Sequence, residues 1–301
     1  MKETPRKSDS AAPPRHFPTP ALPLQLALAA LLCVLAPAAQ ALPGDTAAAS
    51  TDIYVTNYAF ASELGSGIYD ISGRTIQVYQ IPLGIQLRPA KRHHPPPGIN
   101  LLLPITFGFF NFQSTDLLRL DVPTHIGAVS LEPGVELDYW MSDAWHLYPY
   151  AKAGTSFATS AQVNAVIYGF GLRSDYTFEQ LAGDGLWRAE LTYAGVNYLT
   201  DVPNDAFVRL RDGAELRHNV GLPLGSRAVQ IAPYGIVDVY LKPPSGPQSG
   251  ISTQTLQLQV GLMLGVNPMW QIFGIPLPRI GIGYQFAGAL SGWRLVLGDP
   301  F

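Results

Sequence analysis

The stretch TLQLQVGLMLGV, residues 255–266, alternates without a break. Leu256, Leu258, Val260, Leu262, Leu264 and Val266 fall on one side of a two-residue period, and Thr255, Gln257, Gln259, Gly261, Met263 and Gly265 on the other. An extended strand sends successive side chains to opposite faces, so this segment is a strand with one aliphatic face and one polar or small face. The pattern recurs along the chain. In 79–88, Tyr79, Ile81, Leu83, Ile85 and Leu87 oppose Gln80, Gly84, Gln86 and Arg88. In 129–139, Val129, Leu131, Val135, Leu137 and Tyr139 oppose Glu132, Gly134, Glu136 and Asp138. In 206–217, Ala206, Val208, Leu210 and Leu216 oppose Arg209, Arg211, Glu215 and Arg217, and 279–287 alternates in the same way. Weaker versions lie at 99–110, 146–157, 163–175, 186–198, 228–241 and 290–297. With a short arm near 66–72 this predicts an all-β chain of about twelve strands, each near the roughly 9–11 residues that a tilted membrane-spanning strand needs.

Composition narrows the class. Charged residues are 14% of the 301, hydrophobic residues 47%, and the mean hydropathy is +0.13. An average soluble domain carries about 25% charged residues, so neither disorder nor an ordinary charge-coated enzyme fits. A net charge of −3 gives no basic footprint, and nucleic acid is excluded as a partner. Hydrophobicity is concentrated once, at 24–38 (LQLALAALLCVLAPA), behind the basic Lys2, Arg6, Lys7 and Arg15. Ala39 and Ala41 stand at the −3 and −1 positions of a cleavage site, which predicts a secretory signal peptide over 1–41. Cys33 lies inside this run, so the predicted mature chain has no cysteine, as suits an exported protein of a Gram-negative envelope. Beyond residue 42 there is no run of 18 apolar residues of the kind that forms a transmembrane helix.

Two architectures share the alternation. A soluble sandwich turns its apolar faces into a dry core, whereas a membrane barrel turns them outward to lipid and its polar faces into the lumen. Three features favour the transmembrane antiparallel barrel. Charges of both signs gather on the polar faces: Glu132, Glu136, Asp138, Lys152, Arg173, Arg188, Glu190, Arg209, Arg211, Glu215 and Arg217. Aromatic residues near strand ends (Tyr139, Trp140, Trp187, Tyr198, Tyr240, Trp293) suggest interfacial girdles. The sequence finishes on Phe301, in the manner of a terminal assembly signal for outer-membrane barrels. Pro82, Pro104, Pro133 and Pro233 remove backbone donors and are expected at bulges or rims.

Four segments carry a resemblance: ASELGSGIYDISGRTIQVYQIPLG (61–84), LEPGVEL (131–137), WHLYPYAKAG (145–154) and GWRLVLGDPF (292–301). Through them the chain resembles the solitary outer-membrane autotransporter-like β-barrel family. The resemblance implies a translocator-like barrel without a passenger, occupying 66–301 behind an N-terminal segment, 42–65. It also implies a helix in the lumen ahead of the first strand. Residues 50–64 suit that helix, with Ser50 or Thr51 to cap it and Gly65 to end it; an extra strand or a periplasmic tail is the other reading. Gly298-Asp299-Pro300 departs from the family's alternating terminal strand.

The sequence offers little chemistry. His93, His94, His125, His146 and His218 have no G-x-S-x-G partner motif, and no metal-ligand spacing stands out. Asp201 and Asp205 share a loop without a histidine. The inward charges admit two readings: a transverse field that selects ions, or a salt-bridged, plugged interior. The function expected is a non-enzymatic translocator-like, channel or structural barrel, monomeric, in the cell outer membrane. Its partners would be outer-membrane lipid, lipopolysaccharide and the barrel assembly machinery, with no cofactor and no metal. The alternative is an outer-membrane enzyme acting on phospholipid or lipopolysaccharide.

Overall fold

The leucines of the alternating strands are on the outside. In a computed structural model, Leu256 is 57% exposed and Leu262 39%, while Gln257, Gln259 and Gln285 of the opposite faces are at most 4% exposed. A sandwich core would reverse this. The structure describes residues 58–71, 74–92, 96–112, 128–158, 164–180, 183–199, 203–225, 227–244, 255–267, 271–272, 275–276, 279–287 and 290–301.

In chain order the elements are a helix α1 (Tyr58–Leu64), then β1 (Gly67–Ile71), β2 (Arg74–Arg88), β3 (Gly98–Phe112), β4 (Ala128–Leu131) and β5 (Gly134–Trp140). There follow β6 (Trp145–Ala158), β7 (Asn164–Gln180), β8 (Gly183–Tyr198), β9 (Asp205–Leu216), β10 (His218–Leu224) and β11 (Arg227–Lys242). The last are β12 (Leu256–Asn267), the two-residue β13 (Gln271–Ile272) and β14 (Ile275–Pro276), β15 (Ile280–Ala287) and β16 (Leu290–Leu297). Apart from the separate β13–β14 pair and two broken staves, the strands pair antiparallel in chain order, and β1 pairs with β16 from Gly67↔Arg294 to Ile71↔Leu290, closing the sheet. β4 and β5 make one stave broken at Glu132-Pro133, and β9 and β10 another broken at Arg217. The result is a closed barrel of 12 staves among the described residues, as the alternation predicts.

The even stave count brings the start of β1 and the end of β16 toward one end, here the proximal end. The last residues of β2, β5, β7, β10 and β12 share it, and those of β3, β6, β8 and β11 lie at the other, distal end. Several strands exceed the expected length, β7 reaching 17 residues and β8 and β11 16 each.

Two sequence expectations change. Tyr198 and Tyr240 do not join an outer girdle; at 9% and 3% exposure they point into the lumen, as does Trp140, while Tyr139, Trp187 and Trp293 do face outward. The parity of the strands dictates this, because Tyr240 shares a face with Asp238, and Tyr198 with Glu190. The prolines change too. Pro82 and Pro104 face each other inside continuous strands, away from the register shifts of that ladder. Both still avoid losing a bond. The Gln80 amide points to Ser66, so the donor missing at Pro82 would aim the same way, beyond the start of β1. The Pro104 carbonyl accepts from the Glu132 amide, so its missing donor faces the β4–β5 break. Pro133 lies at that break and Pro233 opposite the β9–β10 break.

The outward apolar face gives the first prediction. Leu262→Arg, at the middle of β12, is expected to lower the stability of the folded barrel in lipid vesicles by about 2–4 kcal/mol. Urea titration into phosphatidylcholine vesicles measures it, with the folded species read as the fast-migrating band of an unboiled sample.

Candidate functional site

The lumen is filled from both ends. From the distal end comes α1, sequence YAFASEL. It is apolar on nearly every side because it is surrounded on every side: Tyr58, Ala59, Phe60, Ala61, Ser62 and Leu64 are all buried. Tyr58 packs against Tyr198 (ring centroids 6.0 Å), and Phe60 against Phe207 and Tyr240 (5.9 Å each). These partners lie near the distal ends of β8, β9 and β11. Gly65, with φ of +77°, ends the helix in the left-handed conformation that glycine adopts without strain. The chain thus runs from the distal rim inward before it enters β1. This is the lumen helix that the resemblance implies; positions 50–57 of the expected segment lie outside the described residues.

The barrel wall grips the end of this helix through its free carbonyls and its one charge. Gln80 Nε2 donates to the Ser62 carbonyl (3.1 Å), Arg209 Nη1 to that of Glu63 (3.3 Å) and Tyr69 Oη to that of Leu64 (2.8 Å). The last turn of a helix leaves such carbonyls without intrahelical partners, and here three strands supply them. The Glu63 carboxylate pairs with Lys152 Nζ on β6 and with Arg209 Nη2 on β9 (2.7 Å). Lys152 also holds Glu132 (3.0 Å), whose Oε1 accepts from Ser62 Oγ (2.9 Å).

At the proximal end the chain turns back. Gly298, with φ of +96°, directs residues 299–301 off the end of β16. Asp299 reaches Arg188 Nη2 (3.2 Å), and the Arg188 guanidinium lies 5.0 Å from the Phe301 ring centroid. Phe301 packs on the inward cluster of Ala232, Tyr234, Ile236, Met263 and Val296. A Cβ on Gly213 would come within 2.5 Å of its ring, so this glycine makes room for it. The predicted assembly residue Phe301 therefore sits in the lumen and not on the outer face of the last strand.

The remaining sequence-predicted charges are also inside. Arg188 forks onto both oxygens of Asp175 (2.7 Å each), Arg211 onto Asp238 (2.7 and 2.9 Å), and Arg173 meets Glu136 (2.9 Å) while lying 4.2 Å over the Tyr148 ring. Glu215 is held between Arg217 (2.9 Å) and Arg279, and Glu190 lies 3.7 Å from Arg209. Asp138 binds His146 Nδ1 at 3.0 Å. Sequence reasoning missed Glu63, Asp175, Asp238, Arg279, Arg294 and Asp299. Between the end of α1 and Phe301 remains a chamber of about 150 Å³, lined by Glu63, Lys152, Arg209, Arg211, Glu190 and Arg294 among others.

His93, His94, His125, Asp201, Ala39 and Ala41 lie outside the described residues. Asp205 is buried at the start of β9, and His218 begins β10. No group of three metal-ligating side chains forms among the described residues.

No family model matches the sequence, and no curated protein does. Among solved structures the chain is similar to the crystal structure of the beta domain of the Bordetella autotransporter BrkA. The identity is 14% over 76% of this chain and 93% of that one, with a TM-score of 0.49.

Glu63 carries the second prediction. Glu63→Gln leaves Lys152 and Arg209 short of a buried partner, and the barrel is expected to lose about 3 kcal/mol, in the range for breaking a buried pair from one side. Glu63→Leu combined with Lys152→Met also takes the buried Glu132 away from its Lys152 partner and is expected to lose more. Urea unfolding of the single and double variants in vesicles makes the comparison.

Proposed function

We propose that this chain is a non-enzymatic, translocator-like barrel of the bacterial outer membrane, at rest with its lumen blocked. A closed sheet with an aliphatic exterior and a charged interior suits a membrane in which backbone groups find no water. The observation that carries the translocator reading is the path of α1. The segment upstream of the barrel enters from the distal end, and its last turn is tied to the wall by Glu63 and three carbonyl contacts. That path suits a barrel through which its own N-terminal segment passes, from the proximal side to the distal side. In this reading the proximal end faces the periplasm, the distal end faces out, and residues 1–41 direct export.

The reading is tested by placing a protease site between residues 45 and 52 of the full chain. Cleavage on intact cells is expected. Cleavage that requires a permeabilised outer membrane would overturn the proposal. Conductance gives a separate prediction. The folded chain in a planar bilayer is expected to stay closed at ordinary voltages, and deletion of residues 58–64 is expected to produce steady ion-conducting openings. Openings of equal size in the full chain would show that α1 does not block the lumen.

A further inference from the structure

Among the described residues, seven cations on the barrel's inner face have a carboxylate within salt-bridge distance: Lys152, Arg173, Arg188, Arg209, Arg211, Arg217 and Arg279. Arg294 does not. It faces inward from β16 and is 7% exposed. Its Nη1 donates to Gln259 Oε1 (3.0 Å), its Nε is buried with no acceptor, and its guanidinium borders the chamber between α1 and Phe301. The guanidinium lies close under the end of the helix, because a Cβ on Gly65 would come within 2.8 Å of Nη2. A buried charge with one neutral partner is costly, and a buried donor without an acceptor adds to that cost. Native interiors seldom keep such a group unless something else completes it.

We propose that Arg294 is the receptor for a small oxyanion, a carboxylate or a phosphate, held in this chamber. The pairing around the chamber supports it. Its lining includes Lys152, Arg173, Arg188, Arg209, Arg211 and Arg294, and the first five are each held by a carboxylate: Glu63 and Glu132 on Lys152, Glu136 on Arg173, Asp175 on Arg188, Glu63 on Arg209 and Asp238 on Arg211. Arg294 is the lining cation that these pairings leave over, so a further anion in the chamber has its guanidinium to meet. Planar guanidinium N–H groups match two oxygens of a carboxylate or phosphate, a fit that chloride cannot reproduce. The volume, about 150 Å³, exceeds the roughly 30 Å³ share of one water several times over and accommodates either ion. The site is independent of whether the barrel translocates anything.

The test uses the folded full-length chain in zwitterionic detergent, labelled with ¹⁵N at arginine. The Arg294 Nε–Hε resonance is identified by its loss in Arg294→Gln, or in Arg294→Lys if the first variant does not fold. Sodium phosphate and sodium acetate are titrated separately, with sodium chloride holding the ionic strength constant. A saturable shift of the Arg294 resonance with either oxyanion, leaving Arg217, which does not line the chamber, unmoved, is the expected result. Response in one arm alone identifies phosphate or carboxylate as the ligand. A drift that never saturates, a shift shared equally by Arg217, or no response in either arm would overturn the proposal.

Discussion

Every backbone N–H and C=O along the edge of a sheet needs a partner, and the β1–β16 ladder is where this barrel meets that condition last. Only five residue pairs, from Gly67↔Arg294 to Ile71↔Leu290, join the first strand to the final one. With them the sheet has no edge. Once the sheet is closed its two faces become an inside and an outside. The same parity that turns Leu256, Leu258, Val260, Leu262 and Leu264 outward sends Gln257 and Gln259 in. Pro82 and Pro104 obey the same condition, each missing donor falling where the neighbouring strand is absent or broken.

Closure creates a second demand. A barrel of 12 staves encloses a narrow interior, and charges placed there are partly cut off from water. They are tolerable only with partners close by. The structure meets this by pairing across strands and by bringing in two pieces of chain from outside the sheet. Glu63 joins cations from β6 and β9, which lie three staves apart, so α1 acts as a strut across the lumen as well as a stopper. Asp299 and Phe301 do the same from the proximal side, one pairing with Arg188 and the other lying beneath its guanidinium.

How much of this was legible depends on how far each inference reaches along the chain. Strand identity and facing need only a two-residue period, and for this reason the strands and the eleven inward charges could be named from the sequence. Tyr198 and Tyr240 were misplaced because aromatic residues near strand ends suggested a girdle. The local parity, with Tyr240 two residues from Asp238, already pointed inward. Partners are another matter. Arg188 meets Asp175 across one hairpin, but Glu63 meets Arg209 across 146 residues and Arg188 meets Asp299 across 111. No period encodes such separations, which follow from closure and from where the two ends of the chain enter the lumen. The one hint was composition: Glu63 is the only charge in the seven residues of α1.

The pairing also decides between the two electrical characters that the inward charges admitted. A transverse field needs an acidic wall facing a basic wall across open water. Here Glu136 is taken by Arg173, Asp238 by Arg211 and Glu63 by Lys152 and Arg209, so most of that field is cancelled within a few ångströms of its sources. What remains is local and positive, at the chamber wall where Arg294 stands without a carboxylate. Removing α1 would do more than widen the passage. It would take Glu63 away from Lys152 and Arg209 and leave the emptied lumen more basic than the filled one. In the translocator reading proposed above, the electrostatic preference of the emptied barrel is therefore set by the segment that leaves it, and a passing chain rich in carboxylates would meet the partners that Glu63 gave up.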